Sequence, residues 1–124
     1  MHRIAIVLWC AAATTAAATP RAGFSSYKDA RLLCSEHVAG SGMHVTWSSY
    51  ATKDSVSTVV AFYEKSSGRV ATSGGNGERQ LEWDKDHKLD IYPASRNDRF
   101  PHCDTKPEKG ERTVILMSNV VRDP

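Results

Sequence analysis

Apolar residues recur with helical period over one stretch of the chain, Asp54 to Gly68. Val56, Val59, Val60 and Tyr63 follow the i, i+3, i+4, i+7 rule and Phe62 widens the stripe, which predicts a helix over 54–68 with one buried face. Asp54 is placed to accept hydrogen bonds from the first free N–H groups, and Gly68 can take the left-handed conformation that closes a helix. Elsewhere the period falls to two. Met43-His-Val-Thr-Trp-Ser-Ser-Tyr50 sends Met43, Val45, Trp47 and Ser49 to one side and His44, Thr46, Ser48 and Tyr50 to the other. Residues 68–73 can form a second, short strand. Gly74-Gly-Asn-Gly77 then supplies positive-φ turn residues, and Glu78 to Asp84 returns as a strand with Leu81 and Trp83 inward. Lys88 to Tyr92 repeats the alternation and ends at Pro93. Thr113-Val-Ile-Leu-Met-Ser118 is apolar at successive positions, the mark of a central strand with both faces covered.

Other stretches lack a clear period. Thr19 to Ser26 is small and polar and reads as a flexible lead-in, Pro93 to Arg112 as a long charged loop, and 119–124 as a frayed tail. Between Tyr27 and Ala39, the positions Ala30, Leu33, Cys34 and Val38 fit near-helical spacing and predict a short N-terminal helical segment. The fold class is therefore α+β: an antiparallel sheet of about five strands with one principal helix on one face. One domain, 27–118, holds all of it.

The first 18 residues change the compartment. A basic start at Arg3, an apolar run from Ile4 and the small residues Ala16-Ala-Ala18 make a secretory signal peptide, too short for the about 20 apolar residues of a membrane span. Trp9 before Cys10 occupies a position where lipidation needs a small residue. The expected location is the periplasm or the extracellular space, with no stable membrane insertion after cleavage. Sixteen Lys and Arg stand against 14 Asp and Glu, interspersed along the chain, so no basic stripe marks a nucleic-acid partner.

Loss of the signal leaves Cys34 and Cys103, and export favours joining them. The bridge would close a loop of roughly 70 residues, for which chain entropy gives about 4 kcal/mol. Free thiols or metal ligation are the rival uses.

The order of these segments carries a resemblance. Gly42 to Tyr50, Asp54 with Val59-Val-Ala-Phe-Tyr-Glu-Lys65, a Gly-rich hairpin, Leu89-Asp-Ile-Tyr-Pro93 and Thr113 to Ser118 resemble the layout of small exported bacterial proteins of unassigned function. The resemblance implies an α+β fold in a bacterial envelope setting and transfers no site.

Catalytic chemistry has few marks. His37, His44, His87 and His102 show neither the His-x-x-x-His spacing nor the paired cysteines of zinc sites. His37 and His102 lie near Cys34 and Cys103 in sequence, so a hydrolase or metal-dependent enzyme built on those four residues is the alternative reading. Asp84, Asp86 and Asp90 begin like a calcium loop, but Lys88 and Leu89 stand where an oxygen ligand and Gly belong. Gly74 to Gly77 lacks the Lys-Ser/Thr ending of a phosphate loop, and there is no Gly-x-Ser-x-Gly. Glu64, Glu82 and Asp90 offer only the carboxylate pairings found in any small domain. No cofactor is expected.

One helix leaves one sheet face uncovered. The alternation assigns His44, Tyr50, Gln80, Glu82 and Tyr92 to it, together with Thr46 and Asp90. Such a face can be simply solvated or packed under the N-terminal segment. Its mixture of Tyr, His and carboxylate also reads as a recognition surface for an envelope protein, polymer or small ligand, the reading taken here.

Overall fold

The structure is a computed structural model that describes residues 23–96 and 103–123. The helical stripe forms α1, Val56–Ser67, and buries Val59, Val60 and Tyr63. Its start lies one residue later than the capping argument places it. Ser55, not Asp54, is the N-cap, its Oγ accepting from the Thr58 N–H at 3.2 Å. Asp54 instead accepts from the Tyr27 hydroxyl. Gly68 ends the helix at φ 72°, and its N–H reaches the Glu64 carbonyl at 2.9 Å.

The described residues form six strands: β1 (Arg31–Gly40), β2 (Met43–Thr52), β3 (Thr72–Ser73), β4 (Arg79–Asp84), β5 (His87–Pro93) and β6 (Thr113–Arg122). They form one sheet in the order β1-β2-β6-β5-β4-β3, antiparallel at every junction. The architecture is α+β, as the patterning requires. The strand count is six rather than five, because the segment expected to be a short N-terminal helix is β1. It folds back on β2 through the two-residue turn Ser41-Gly42, Gly42 supplying a φ of 72°. A bulge between Leu32 and Cys34 brings Leu33 and Cys34 to the same side. That break in alternation is what makes the strand imitate a helical spacing.

β6 also outruns its expectation. It continues through Arg122 because β2 pairs with it along its full length, Met43 opposite Arg122 and Thr52 opposite Thr113. The segment expected to be a frayed tail is therefore strand up to that residue. Part of the segment expected to be a flexible lead-in is packed as well. Phe24 meets Tyr63 and Trp83 edge-on at centroid distances of 5.9 and 5.8 Å, and the Tyr63 hydroxyl donates to the Ser25 carbonyl at 2.8 Å.

Two cores result, one on each side of the sheet. Under α1 lie Val59, Val60, Tyr63, Leu81, Leu89, Ile91 and Ile115. On the far side lie Leu33, Ala51, Tyr92, Val114, Leu116 and Cys103. Each large aliphatic side chain buried this way contributes about 1.5–3 kcal/mol from apolar transfer. Val114, Ile115 and Leu116 are consecutive and all buried, the two-sided burial read from their run.

Cys103 reaches the far core because it is bonded to Cys34, 69 positions away, with Cα atoms 5.5 Å apart. The described part of its segment is tied down near both ends. Ala94 donates to the Arg112 carbonyl at 2.9 Å and Arg112 to the Thr52 carbonyl at 2.8 Å, while Arg31 pairs with Glu111 at 2.5 Å. The Arg31 hydrogen bond holds the Glu111 carboxyl below its ordinary range.

Opening the bridge should therefore release a cover as well as a loop. The Cys34→Ser/Cys103→Ser double variant is expected to lose about 2–5 kcal/mol in urea unfolding, and reduced wild-type protein should lose a similar amount. A loss under about 1 kcal/mol would show that backbone and ion-pair contacts alone hold the segment.

Candidate functional site

Strand register sorts the predicted site residues onto two faces. Ile91 pairs with Ile115 and Ile115 with Tyr50, so these three share the side that carries α1. Tyr50 therefore packs against the helix-side core and is not on the uncovered face. His44 shares its side by alternation. At the end of the β1–β2 hairpin it stacks on His37, with ring centroids 5.4 Å apart and planes within 4°. Its Nε2 lies 3.6 Å from Asp123 Oδ1. Gln80, Glu82 and Tyr92 do occupy the opposite face, together with Asp90. Tyr92, however, is only 4% exposed, buried with Cys103, Val114 and Leu116. The five residues thus do not form one surface. The parity that separates the two faces within a strand does not carry from one strand to the next, because pairing sets it afresh.

The described residues also leave the alternative site unassembled. Cys34 and Cys103 are bonded to each other, and His37 stands on the side opposite Cys34, since the two positions differ by an odd number along a strand. His102 lies outside the described residues. Among the described residues no group of three or more His, Cys, Asp or Glu is placed to hold a metal ion.

What the fold does bring together is a polar trough on the helix-free face of β4 and β5. Gln80 pairs with Asp90 and Glu82 with Lys88. Lys88 Nζ is 3.3 Å from Glu82 Oε1. Gln80 Nε2 donates to Glu78 Oε1 at 3.4 Å. Two concavities share Gln80 and Glu82 as walls. One, about 350 Å³, is completed by Arg69, Val70 and Thr72. The other, about 150 Å³, is completed by Leu81, Lys88, Leu89 and Asp90. Arg69 is held rigidly: its guanidinium lies 4.3 Å from the Trp83 ring and donates to the Ser67 and Trp83 carbonyls, each at 3.1 Å.

Within the trough, Asp90 is the perturbed group. Burial raises its carboxyl above the ordinary value, opposed by the Gln80 hydrogen bond and the Lys88 charge. A half-buried carboxylate, an amide, a second carboxylate and an ammonium give donors and acceptors suited to hydroxyl and amide groups on a ligand. A third concavity of about 310 Å³ lies at the start of α1, lined by Lys28, Asp29, Thr52, Lys53, Asp54 and Glu111. Its two best-placed carboxylates are already engaged, Asp54 by Tyr27 and Glu111 by Arg31.

Sequence reasoning identified Gln80, Glu82 and Asp90 but missed Arg69, Val70, Thr72 and Lys88 as companions. The opposite charges of Glu82 and Lys88, across a turn, are the one signal that points to a cross-strand pair. The hairpin expected through Gly74–Gly77 does place residues 68–73 beside β4, and Thr72 and Ser73 pair there with Gln80 and Arg79. That strand is only two residues long, however, and alternation does not show that Arg69 and Val70 ahead of it line the same trough.

Because the raised Asp90 pKa means that folding binds its proton more tightly, the group stabilises the fold at low pH and loses that contribution as pH rises through the folded value. Asp90→Asn is expected to be more stable than wild type near neutral pH. The gap should close once the medium falls below the ordinary carboxylate range, as followed by thermal melts across pH. A variant less stable than wild type at pH 7 would mean that the Gln80 and Lys88 contacts outweigh desolvation.

No protein-family model matches the chain, and no curated protein or solved structure matches it.

Proposed function

We propose that this chain is a small exported, disulfide-closed module that binds a polar ligand of the cell envelope, a saccharide or peptide chain, and does no chemistry on it. The observation that carries the reading is the shared wall. Gln80 and Glu82 line two concavities on the face of β4 and β5 opposite α1. A trough of this kind suits an extended chain that presents repeated hydroxyl or amide groups.

The groups are spaced for hydrogen bonding. Lys88 and Glu82 neutralise one another, so binding does not depend on net charge, and Arg69 and Val70 add a cation and an exposed apolar surface at one end. Export is supported by the N-terminal signal pattern and by a disulfide, a bond that persists in oxidising compartments. Among the described residues no helix is long and apolar enough to cross a membrane. The resemblance to small exported bacterial proteins points to the same setting.

An array of envelope saccharides and short peptides tests the proposal. Wild-type protein is expected to bind a subset of it, and Gln80→Ala/Glu82→Ala should lower that binding at least tenfold while its melting temperature stays within a few degrees of wild type. Binding that survives the double variant, or an array with no ligand at all, overturns the assignment.

A further inference from the structure

The two edges of the sheet are treated differently. At the β3 edge only Thr72 and Ser73 pair with β4, and beyond them Arg69 takes the free Trp83 carbonyl at 3.1 Å. A guanidinium thus blocks the place where another strand would add. Among the described residues the β1 edge has no such block. From Ser35 to Gly40 every residue is exposed, the stretch holds no Pro or Lys, and the bulge that disrupts β1 lies before it, between Leu32 and Cys34.

Which backbone groups face outward follows from the turn. Gly40 pairs with Met43 across a two-residue loop, so this pair exchanges both hydrogen bonds, and exchange then alternates along the ladder through Val38, Glu36 and Cys34. The N–H and C=O groups of Ser35, His37 and Ala39 point away from β2. Among the described residues no backbone partner from outside the sheet meets them. Desolvation is not their cost at present, but the row is an intact template for one more antiparallel strand.

We propose that the occupant is a second copy of this chain, joined β1 to β1 about a two-fold axis so that two six-stranded sheets become one. The edge is self-complementary in one register. With His37 opposite His37 of the second copy, Ser35 faces Ala39 and Ala39 faces Ser35, giving about six backbone hydrogen bonds, two for each of these pairs. In that register Glu36 lies against Val38 of the second copy, so the aliphatic stem of each glutamate covers a valine now 49% exposed. Sliding by one pair toward the N-terminus sets Glu36 against Glu36, and sliding the other way gives up one hydrogen-bonded pair. A protein partner with a different sequence would gain nothing from this symmetry. So short an edge makes a weak dimer, below the size of a permanent interface. This interface lies at the opposite end of the sheet from the Gln80–Glu82 trough, so the two proposals stand or fall separately.

Sedimentation of the full mature chain over a roughly hundred-fold concentration range tests the association. Wild type is expected to move from monomer to dimer. Ala39→Pro removes one outward donor at a position where an edge strand tolerates proline, and should weaken dimerisation at least tenfold. The register is tested by cysteines. His37→Cys should form a reducible covalent dimer under mild oxidation, whereas Ser35→Cys should not, because its counterpart lies about four residues along the strand. Should Ala39→Pro fail to fold, as judged by circular dichroism, the cysteine pair decides. Monomer throughout the range, dimers untouched by a folded Ala39→Pro, or equal cross-linking of both cysteine variants overturns the proposal.

Discussion

β6 is buried on both sides where it enters the sheet, and the rest of the molecule is arranged to satisfy that requirement. Thr113, Val114, Ile115 and Leu116 are all buried, with β2 on one flank and β5 on the other. A strand buried on both faces needs two covers. On one side α1 supplies Val59, Val60 and Tyr63, and a domain of this size has the material for one such helix. On the other side the described part of the cover contributes Ala94 and Cys103, and a covalent bond holds Cys103 in place. Cys103 is both the tether and part of the packing, seated against Tyr92, Val114 and Leu116. Thr113 completes the entry by donating from its hydroxyl to the Asp54 carbonyl at 2.6 Å, which links the strand to the start of the helix.

The covers also decide which parts of the sheet stay exposed. Each is shorter than the sheet. α1 lies over β4 and β5, while the Cys103 segment lies over the other face beside Tyr92. Among the described residues the β4–β5 half of that second face has no cover and carries Gln80, Glu82, Lys88 and Asp90. At the opposite end β1 is an edge whose outer backbone, among the described residues, has no counterpart to Arg69. The two proposed interactions use different physics. The trough depends on polar side chains held in register, whereas the edge depends on backbone groups that any strand possesses.

Much of the fold was legible where one local rule dominates. The period of 54–68, the Gly-rich turn and the two-sided run from Thr113 each identify an element, since each follows from geometry over a few residues. The capping residue was off by one because Asp54 and Ser55 are both good caps, and the tertiary contact from Tyr27 engages Asp54. β1 was missed because its bulge erases alternation at Leu33 and Cys34. Of the predicted binding face, Gln80 and Glu82 remained together, because they sit on one strand. Tyr50, His44 and Tyr92 did not join them.

The sequence by itself determined which residues alternate, where the chain turns, and that 54–68 carries the principal helix; it also added a short helical segment before residue 40 that is strand instead. These are short-range properties, set by backbone geometry and side-chain type within a dozen residues. Only the tertiary structure decided which side of β2 meets the helix, that Tyr92 is core and not surface, and that Arg69 guards one edge while β1 leaves the other open. Each of those depends on the register between strands far apart in the chain, and a shift of a single residue there exchanges the two faces.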